Sequence, residues 1–341
     1  MIAVALLSLI VSVAGCLVLV RVGGLAPDIP NARSSHSRVI PRGAGLAIAL
    51  AVLSASIVGL LEFPEALASE SAALAIILGM AVVVGLLGIL EDMRGVRAAL
   101  RLGVEFCTAV VVSVMVVRWS RIGGGAFALD LPAWLGHTLT VFWIVWVVNL
   151  FNFMDGINGI AAWQAIVLGL CYLALGTTAG NLAVVVLGLT TAAAGAGFLP
   201  FNFPRARIFL GDSGSLFLGF VVAVLPLLLH RRETAFGFEM AVAVFAPFFF
   251  DATVTLCRRL MTGERVFDAH RSHCYQIFVD RGGNHALISL LYAGAGVLCG
   301  AAVLGAWRGN WPWVWAWLPA GGCLLVAVGT QSWYAWWRRG S

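Results

Sequence analysis

Lysine is absent from this chain of 341 residues, and all 21 basic side chains are arginine. The absence excludes a Walker-type phosphate-binding lysine and a lysine Schiff base. Charged residues are also scarce, at 11% of the chain against about 25% in an ordinary soluble domain. The seven cysteines are scattered and form no C-x-x-C pair, so the sequence favours packing cysteines over zinc ligands or disulfide bridges.

Apolar residues, by contrast, make up 61% of the chain, and the mean hydropathy is +0.97. A soluble protein of this size cannot hide that much apolar surface from water. The longest polar stretch covers roughly residues 258–285, so we expect no soluble domain and one integral membrane domain over residues 1–341. We attribute the net charge of +5 to arginine-rich loops on one side of a membrane, and we expect no nucleic-acid partner.

About eleven apolar runs are long enough to cross a bilayer as helices. Helices are expected because lipid offers no partner for open strand edges, and because the runs are apolar on every face. The predicted fold is therefore all-α and polytopic, with about eleven transmembrane helices. The runs are 2–20, 43–61, 72–90, 102–117, 134–150, 159–176, 182–200, 214–229, 239–257, 286–306 and 312–335.

Arginine is distributed unevenly between the loops on the two sides of these runs. With the N-terminus placed outside, sixteen arginines fall in inner loops and five in outer loops. Because positively charged loops favour the cytoplasmic side, the sequence predicts an outside N-terminus and a cytoplasmic C-terminus.

The polar residues capable of chemistry form clusters, and every cluster falls on the arginine-rich side. Ionisable residues near lipid are costly, so we expect these clusters to converge on one functional pocket. The clusters are Asp28–His36 with Pro41–Gly45, Glu91-Asp92, Asn149–Gly159, Asn202 with Gly211–Ser215, and Asp268–His273.

These residue types are the ones that phosphoryl transfer requires. Carboxylates supply the oxygen ligands that Mg²⁺ prefers, and arginine binds phosphate oxygens in a bidentate manner. Gly211–Ser215 opens an apolar run, where a helix N-terminus would present free N–H groups to an anion. A site of this kind beside lipid favours a reaction between a lipid phosphate and a soluble nucleotide donor.

Each cluster also has a purely structural explanation. Glu91-Asp92 is typical of a solvated helix end, and Asp155–Gly159 is typical of a turn with helix capping. His270 and His273 would suit a transition metal, but no third soft ligand accompanies them, so phosphate contact or proton handling is favoured. Asp251 lies late in an apolar run, where an acid usually has a partner.

Taken in chain order, the motifs resemble one protein family across the first ten spans. The motifs are Pro30–His36 with Pro41–Gly43, Glu91-Asp92, Asn152–Gly159, Ile208–Ser215 and His270–His273. They are similar to those of the polyprenyl-phosphate N-acetylhexosamine-1-phosphate transferases, glycosyltransferase family 4. The resemblance implies a transferase that moves a sugar-1-phosphate from a UDP-N-acetylhexosamine to undecaprenyl phosphate and releases UMP. It also implies a cytoplasmic active site in a bacterial inner membrane and a need for Mg²⁺, with Mn²⁺ as a substitute.

The resemblance implies roles for single residues on the donor side of the reaction. Asp212 matches the metal ligand of the family. The residues that match the nucleotide site are Asn152, Asp155, Asn158 and Asn202; Asp155 also belongs to the predicted catalytic group.

Further residues match the acceptor and the transferred phosphate. Asp92, supported by Glu91, is expected to orient the lipid phosphate or to take its proton. His270 and His273 are expected at the pyrophosphate or the sugar. The arginines expected to contact substrate phosphates are Arg38, Arg42, Arg101 and Arg271. For the first three, the alternative is that they only follow the positive-inside bias.

Three departures from the family pattern bear on the branch and the mechanism. Glu91 stands where the family usually has Asp, and Asn158 stands where a second Asp is common. The His270–His273 segment lacks the consecutive histidines of the peptidoglycan branch. The chain therefore resembles more closely the branch that starts O-antigen lipopolysaccharide or related surface glycans, whose donors carry N-acetylglucosamine or 6-deoxy sugars such as N-acetylfucosamine and N-acetylquinovosamine.

We expect direct displacement at the β-phosphorus, with a covalent aspartyl-phosphate as the competing scheme. The rival class is a transporter or lipid flippase, whose charged sites should lie near mid-membrane. A homodimer and the identity of the sugar are left open by the sequence.

Overall fold

The computed structural model describes residues 1–29, 39–123, 128–265, 270–309 and 311–340. For residues 338–340 it describes the backbone alone. Within these ranges the chain forms thirteen helices and two short antiparallel sheets of two strands each. The first helices are α1 (Ile2–Val22), α2 (Gly45–Glu62), α3 (Ser71–Arg94), α4 (Ala98–Met115), α5 (Ala133–Met154), α6 (Ile160–Thr178) and α7 (Leu182–Asn202). The others are α8 (Asp212–Arg232), α9 (Phe238–Val244), α10 (Ala246–Met261), α11 (Cys274–Asp280), α12 (His285–Trp307) and α13 (Val314–Gly340). The strands are β1 (Ala26–Asp28) paired with β2 (Ile40–Arg42), and β3 (Arg121–Ile122) paired with β4 (Leu129–Asp130).

Ten helices in the described ranges are long and apolar enough to cross a membrane. Their outward faces carry large apolar side chains, including Leu61, Leu298 and Leu325, which are 74%, 63% and 74% exposed. Such faces are stable against lipid and costly against water, and the helices satisfy their own backbone groups. The predicted all-α polytopic membrane fold is confirmed. The side of the membrane on which each terminus lies stays a prediction.

The run expected as a single span over 239–257 is divided into two helices. α9 and α10 meet at an angle of 95°, and counting them as one span gives up to eleven spans. Pro247 lies in the first turn of α10, where its missing N–H is tolerated, but its ring cannot continue a helix that arrives from α9. The bend brings α10 to the start of α11, where Asp251 accepts a hydrogen bond from the Cys274 N–H at 2.7 Å.

α8 forms the centre of the bundle, and the most apolar window of this helix is wholly buried inside the protein. It packs against α3 and α5, and the Trp143 indole of α5 donates to the Ala223 carbonyl of α8 at 2.9 Å. It also packs against α2, α6 and α7, and its N-terminus lies beside the ends of α3 and α5. The candidate site lies there.

Candidate active site

The N-terminus of α8 carries the centre of the polar site. The Asp92 carboxylate, near the end of α3, accepts hydrogen bonds from the Asp212 and Ser213 N–H groups, each at 3.0 Å. The first N–H groups of a helix have no partner inside the helix, and the positive end of its dipole favours a carboxylate. Asp92 is 1% exposed and therefore acts as a buried cap that fixes the first turn of α8.

Two glycines make this close approach of α3 to α8 feasible. A Cβ at Gly88 would lie 2.4 Å from the Asp212 carbonyl oxygen, which is closer than real Cβ contacts allow. Gly211 has a φ of +76°, and a Cβ there would lie 2.5 Å from the Asp92 carboxylate. A side chain at either position would force the Asp92 cap away from α8.

Arg42, at the end of β2, stabilises the same carboxylate. Its guanidinium donates to the Asp92 carbonyl at 2.8 Å, and its Nε lies 3.7 Å from an Asp92 carboxylate oxygen. The contact orients the arginine toward the α8 N-terminus, where further guanidinium donors are available to an anion.

Asn152 and Asp155, at the end of α5, complete the acid-rich pocket. The Asn152 amide donates to Asp212 Oδ1 and, at 2.8 Å, to the Ser215 hydroxyl. Burial, together with the negative charges of Asp212 and Asp92, raises the pKa of Asp155 to about 7. Three carboxylates from three helices therefore act on one another here, as the convergence of the sequence clusters predicts.

Glu91 and Arg101 lie at the edge of this pocket. Among the described residues, one buried carboxylate oxygen of Glu91 has no hydrogen-bond partner. Arg101 donates to Asn149 at 3.2 Å and lies 3.7 Å from Glu105. Glu105 is buried and was not anticipated as a site residue. The signal was present, because it is an acid inside an apolar run, four residues after an arginine.

Other predicted substrate contacts are engaged within the protein. Asn202 accepts from the Gly159 N–H at 2.6 Å and donates to the Ile208 carbonyl at 3.0 Å, so its side chain ties together the segments on either side of it. The Asn158 amide donates to the Pro204 carbonyl at 3.2 Å. Arg271 pairs with Asp280 at 2.6 Å. Arg38 lies outside the described residues, as do residues 30–37 and Asp268.

The histidine loop (residues 270–273) packs against the end of α5. The His273 ring stacks on Phe153 at an interplanar angle of 24° with ring centres 6.2 Å apart, and the Tyr275 hydroxyl donates to the Phe153 carbonyl at 2.9 Å. Burial, together with the nearby His273, Arg259 and Arg258, lowers the pKa of His270 to about 3. His270 is therefore neutral at pH 7, which leaves it able to donate and to accept a hydrogen bond.

The donor set near Asp212 suits a hard divalent cation. No group of three His, Cys, Asp or Glu side chains able to hold a metal exists within the described ranges. Asp92 is used by backbone N–H groups, and Asn152 occupies one oxygen of Asp212. Mg²⁺ is commonly held by one or two carboxylates, with water and substrate phosphates as its other ligands. A site with Asp212 as the main protein ligand fits that pattern and lacks the soft ligands of a zinc site.

Fold and site together define an integral membrane protein whose acid-rich pocket lies where the ends of α3, α5 and α8 meet. A family model described as "Glycosyl transferase family 4" matches residues 74–230, which include these helix ends. The chain is 30% identical over 274 residues to a protein of Bacillus subtilis named "Probable undecaprenyl-phosphate N-acetylglucosaminyl 1-phosphate transferase", covering 78% of this chain and 73% of that protein. It is 28% identical over 302 residues to the "Decaprenyl-phosphate N-acetylglucosaminephosphotransferase" of Mycobacterium leprae, covering 80% and 75% of the two chains. The chain belongs to glycosyl transferase family 4, and the resemblance drawn from its motifs is confirmed.

Proposed function

We propose that this protein transfers a sugar-1-phosphate from a UDP-N-acetylhexosamine to undecaprenyl phosphate and releases UMP. The names of its relatives support a polyprenyl-phosphate acceptor and an N-acetylglucosamine donor. The observation that carries the proposal is the meeting of Asp92, Asp212, Asn152 and Arg42 at the N-terminus of α8. Such a cluster offers both a cation site and anion-binding groups, which a pyrophosphate substrate needs together.

The donor would bind with its pyrophosphate at the α8 N-terminus. Asp212 would hold Mg²⁺, or Mn²⁺ in its place, and Asn152 keeps the carboxylate of Asp212 oriented. When bound, the cation neutralises the pyrophosphate and stabilises UMP as the leaving group. Asp155, Asn158 and Asn202 would shape the nucleotide side of the pocket, the last through the backbone that it holds.

The acceptor would attack in one displacement. An oxygen of the lipid phosphate forms a bond to the β-phosphorus, and the bond from that phosphorus to the bridging oxygen breaks, so that UMP leaves with the electron pair. Glu91 would take a proton from a monoprotonated acceptor, because one of its oxygens is buried and has no hydrogen-bond partner in the described part of the chain. Asp92 supports the step by fixing α8, and His270, His273, Arg101 and Arg271 would contact the transferred phosphoryl group and its neighbours.

An apolar groove between α12 and α13 supports a long-chain acceptor. It has a volume of about 890 Å³, reaches Asp251 and Cys274 at one end, and is lined by Leu298 and Pro319 deeper in the membrane. Its α12 wall from Asn284 to Leu298 is about 21 Å long at about 1.5 Å per residue, against about 15 Å for half of a bilayer core of about 30 Å. We place part of the isoprenoid chain of the acceptor in this groove.

We further propose that the product starts an O-antigen lipopolysaccharide or a related surface glycan of a bacterial cell. In that setting the protein lies in the inner membrane and its pocket faces the cytoplasm, where nucleotide sugars are made. The His270–His273 segment, without consecutive histidines, favours this branch over peptidoglycan synthesis.

The test is a donor panel with purified protein in lipid nanodiscs. Labelled UDP-N-acetylglucosamine and its 6-deoxy analogues are offered with undecaprenyl phosphate and Mg²⁺, and both UMP and lipid-linked sugar are measured. Asp212→Asn should abolish both products, whereas Glu65→Gln, an exposed acid in the loop before α3, should leave them unchanged. Absence of product with every donor contradicts the proposal. Exchange of labelled UMP into UDP-sugar without acceptor lipid would replace direct displacement by the aspartyl-phosphate scheme.

A further inference from the structure

Asp251 is a buried carboxylate that joins three helices. It lies in α10, is 3% exposed, and accepts hydrogen bonds from the Cys274 N–H at 2.7 Å and the Tyr275 N–H at 3.3 Å. The Tyr292 hydroxyl of α12 also donates to it. These contacts fix the first residues of α11, directly after the histidine loop.

The same carboxylate lies beside His273. The His273 Nδ1 atom is 3.7 Å from Asp251 Oδ1, and the His273 side chain also faces the Gln276 N–H in the capping box at the start of α11. That distance exceeds a hydrogen bond but falls within ion-pair range. Hydrogen bonds at catalytic groups are often long in the substrate-free enzyme and shorten when substrate binds.

α13 secures the loop from a third direction. The Gln331 amide donates to the Thr255 hydroxyl of α10 at 2.8 Å and to the Ser272 carbonyl at 2.7 Å. The residue before His273 is therefore held as firmly as the residue after it.

We infer that Asp251 is the positioning residue that orients the His273 imidazole for the transferred phosphoryl group. The inference rests on the proposed function, in which His273 contacts that group. Asp251 accepts the Nδ1 proton of His273 and thereby fixes the tautomer and the ring angle, which leaves Nε2 for the substrate. The alternative is that Asp251 only caps α11. The two roles predict different activities for a variant that lacks both Asp251 and His273.

A double-mutant cycle separates these roles. Asp251→Asn, His273→Gln and the double variant are assayed for kcat/KM, and their melting temperatures are measured in the same nanodiscs. Residues that act as a pair couple by about 0.5–3 kcal/mol, or about 2- to 150-fold. We expect each single variant to lose about 10- to 100-fold and the double variant to stay within about twofold of His273→Gln. Thr253→Val is the matched control on α10, because the Thr253 hydroxyl accepts from the Trp146 indole of α5 at 3.2 Å, and its loss should multiply with that of His273→Gln.

Each outcome bears on a different claim. If the loss in kcat/KM of the double variant equals the product of the losses of Asp251→Asn and His273→Gln, the positioning role is overturned and the proposed reaction is left intact. Normal turnover by His273→Gln removes the histidine from the proposed site and the positioning role with it, while the inactivity of Asp212→Asn still tests the reaction. If Asp251→Asn yields no folded protein, Asp251→Glu takes its place in the cycle, and multiplied losses there overturn the proposal equally.

Discussion

Replacing Asp92 with Asn tests whether this residue fixes α8 or takes a proton from the acceptor. The carboxylate oxygens of Asp92 accept the Asp212 and Ser213 N–H groups, and Arg42 lies 3.7 Å away. An asparagine keeps one acceptor oxygen but turns an NH₂ group toward a backbone N–H. The variant therefore loses one hydrogen bond to a charged group and the attraction of the carboxylate to the α8 N-terminus.

The size of the effect follows from those two losses. A hydrogen bond to a charged group contributes about 1.5–3 kcal/mol. A carboxylate at a partly buried helix N-terminus contributes up to about 2 kcal/mol. A combined loss of about 3 kcal/mol lowers the population of the ordered α8 N-terminus by about 150-fold relative to the displaced one, at about 1.4 kcal/mol per factor of ten.

Three measurements are made on Asp92→Asn and on the exposed control Glu65→Gln. They are the melting temperature, the Kd for the UDP-sugar with Mg²⁺, and the rate of UMP release. A residue that fixes α8 predicts a lower melting temperature and weaker donor binding together with slower turnover. The control should match the wild-type protein in all three, because Glu65 is exposed in the loop at the opposite ends of the helices.

The reasoning fails if turnover alone is lost. An unchanged melting temperature and an unchanged donor Kd would show that Asp92 does not hold α8 in place, and would favour the proton-accepting role. Normal behaviour in all three measurements would remove Asp92 from the site altogether.

Three further perturbations address the pH response, the loops and the groove. The pKa of Asp155 is raised from 3.8 to about 7 in the folded protein, so the metal-free protein should lose stability as the pH rises through that range. Asp155→Asn should make the melting temperature in EDTA depend less on pH. Equal pH dependence of the variant and the wild-type protein would contradict this. Asn202→Ala leaves two buried backbone groups without a hydrogen bond, at a cost of about 1–3 kcal/mol each, and should lower the melting temperature. A melting temperature equal to that of the wild-type protein would show that Asn202 does not hold its neighbouring segments together. A Cβ at Gly322 or Gly329 meets no atom within 4 Å, but only Gly322 lines the groove. Gly322→Leu should raise KM for undecaprenyl phosphate and spare short-chain acceptors, whereas Gly329→Leu should change neither, and equal effects would argue against the groove.

Much of the architecture follows from composition and the spacing of apolar runs. Runs near 20 residues predict spans because the thickness of lipid sets their length, and the structure confirms an all-α membrane bundle. The bend before Pro247 escaped prediction because the run is apolar on both sides of it. Hydropathy reports which residues avoid water, but it does not report whether the backbone continues straight.

The sequence also predicts that the acidic residues converge, but it does not predict the contacts that each of them makes. Asp212 and Asn152 follow from their motifs, and the structure places their side chains in direct contact. The partners of Asp92 depend on how closely α3 approaches α8, which glycine packing between distant segments decides. The partner expected for Asp251 proved to be several groups of α11 and α12, brought together by the fold and separated by 23 residues or more along the chain.

The enclosure of α8 has a consequence for how the protein becomes active. This helix begins with the residue assigned to the cation, yet no face of its apolar window touches lipid or water in the finished bundle. A nascent chain that has inserted its first seven helices carries most of the acidic residues but lacks the scaffold that aligns them. The site can therefore form only once α8 has packed among its neighbouring helices. Fragments of the chain that end before α8 should bind neither nucleotide nor cation.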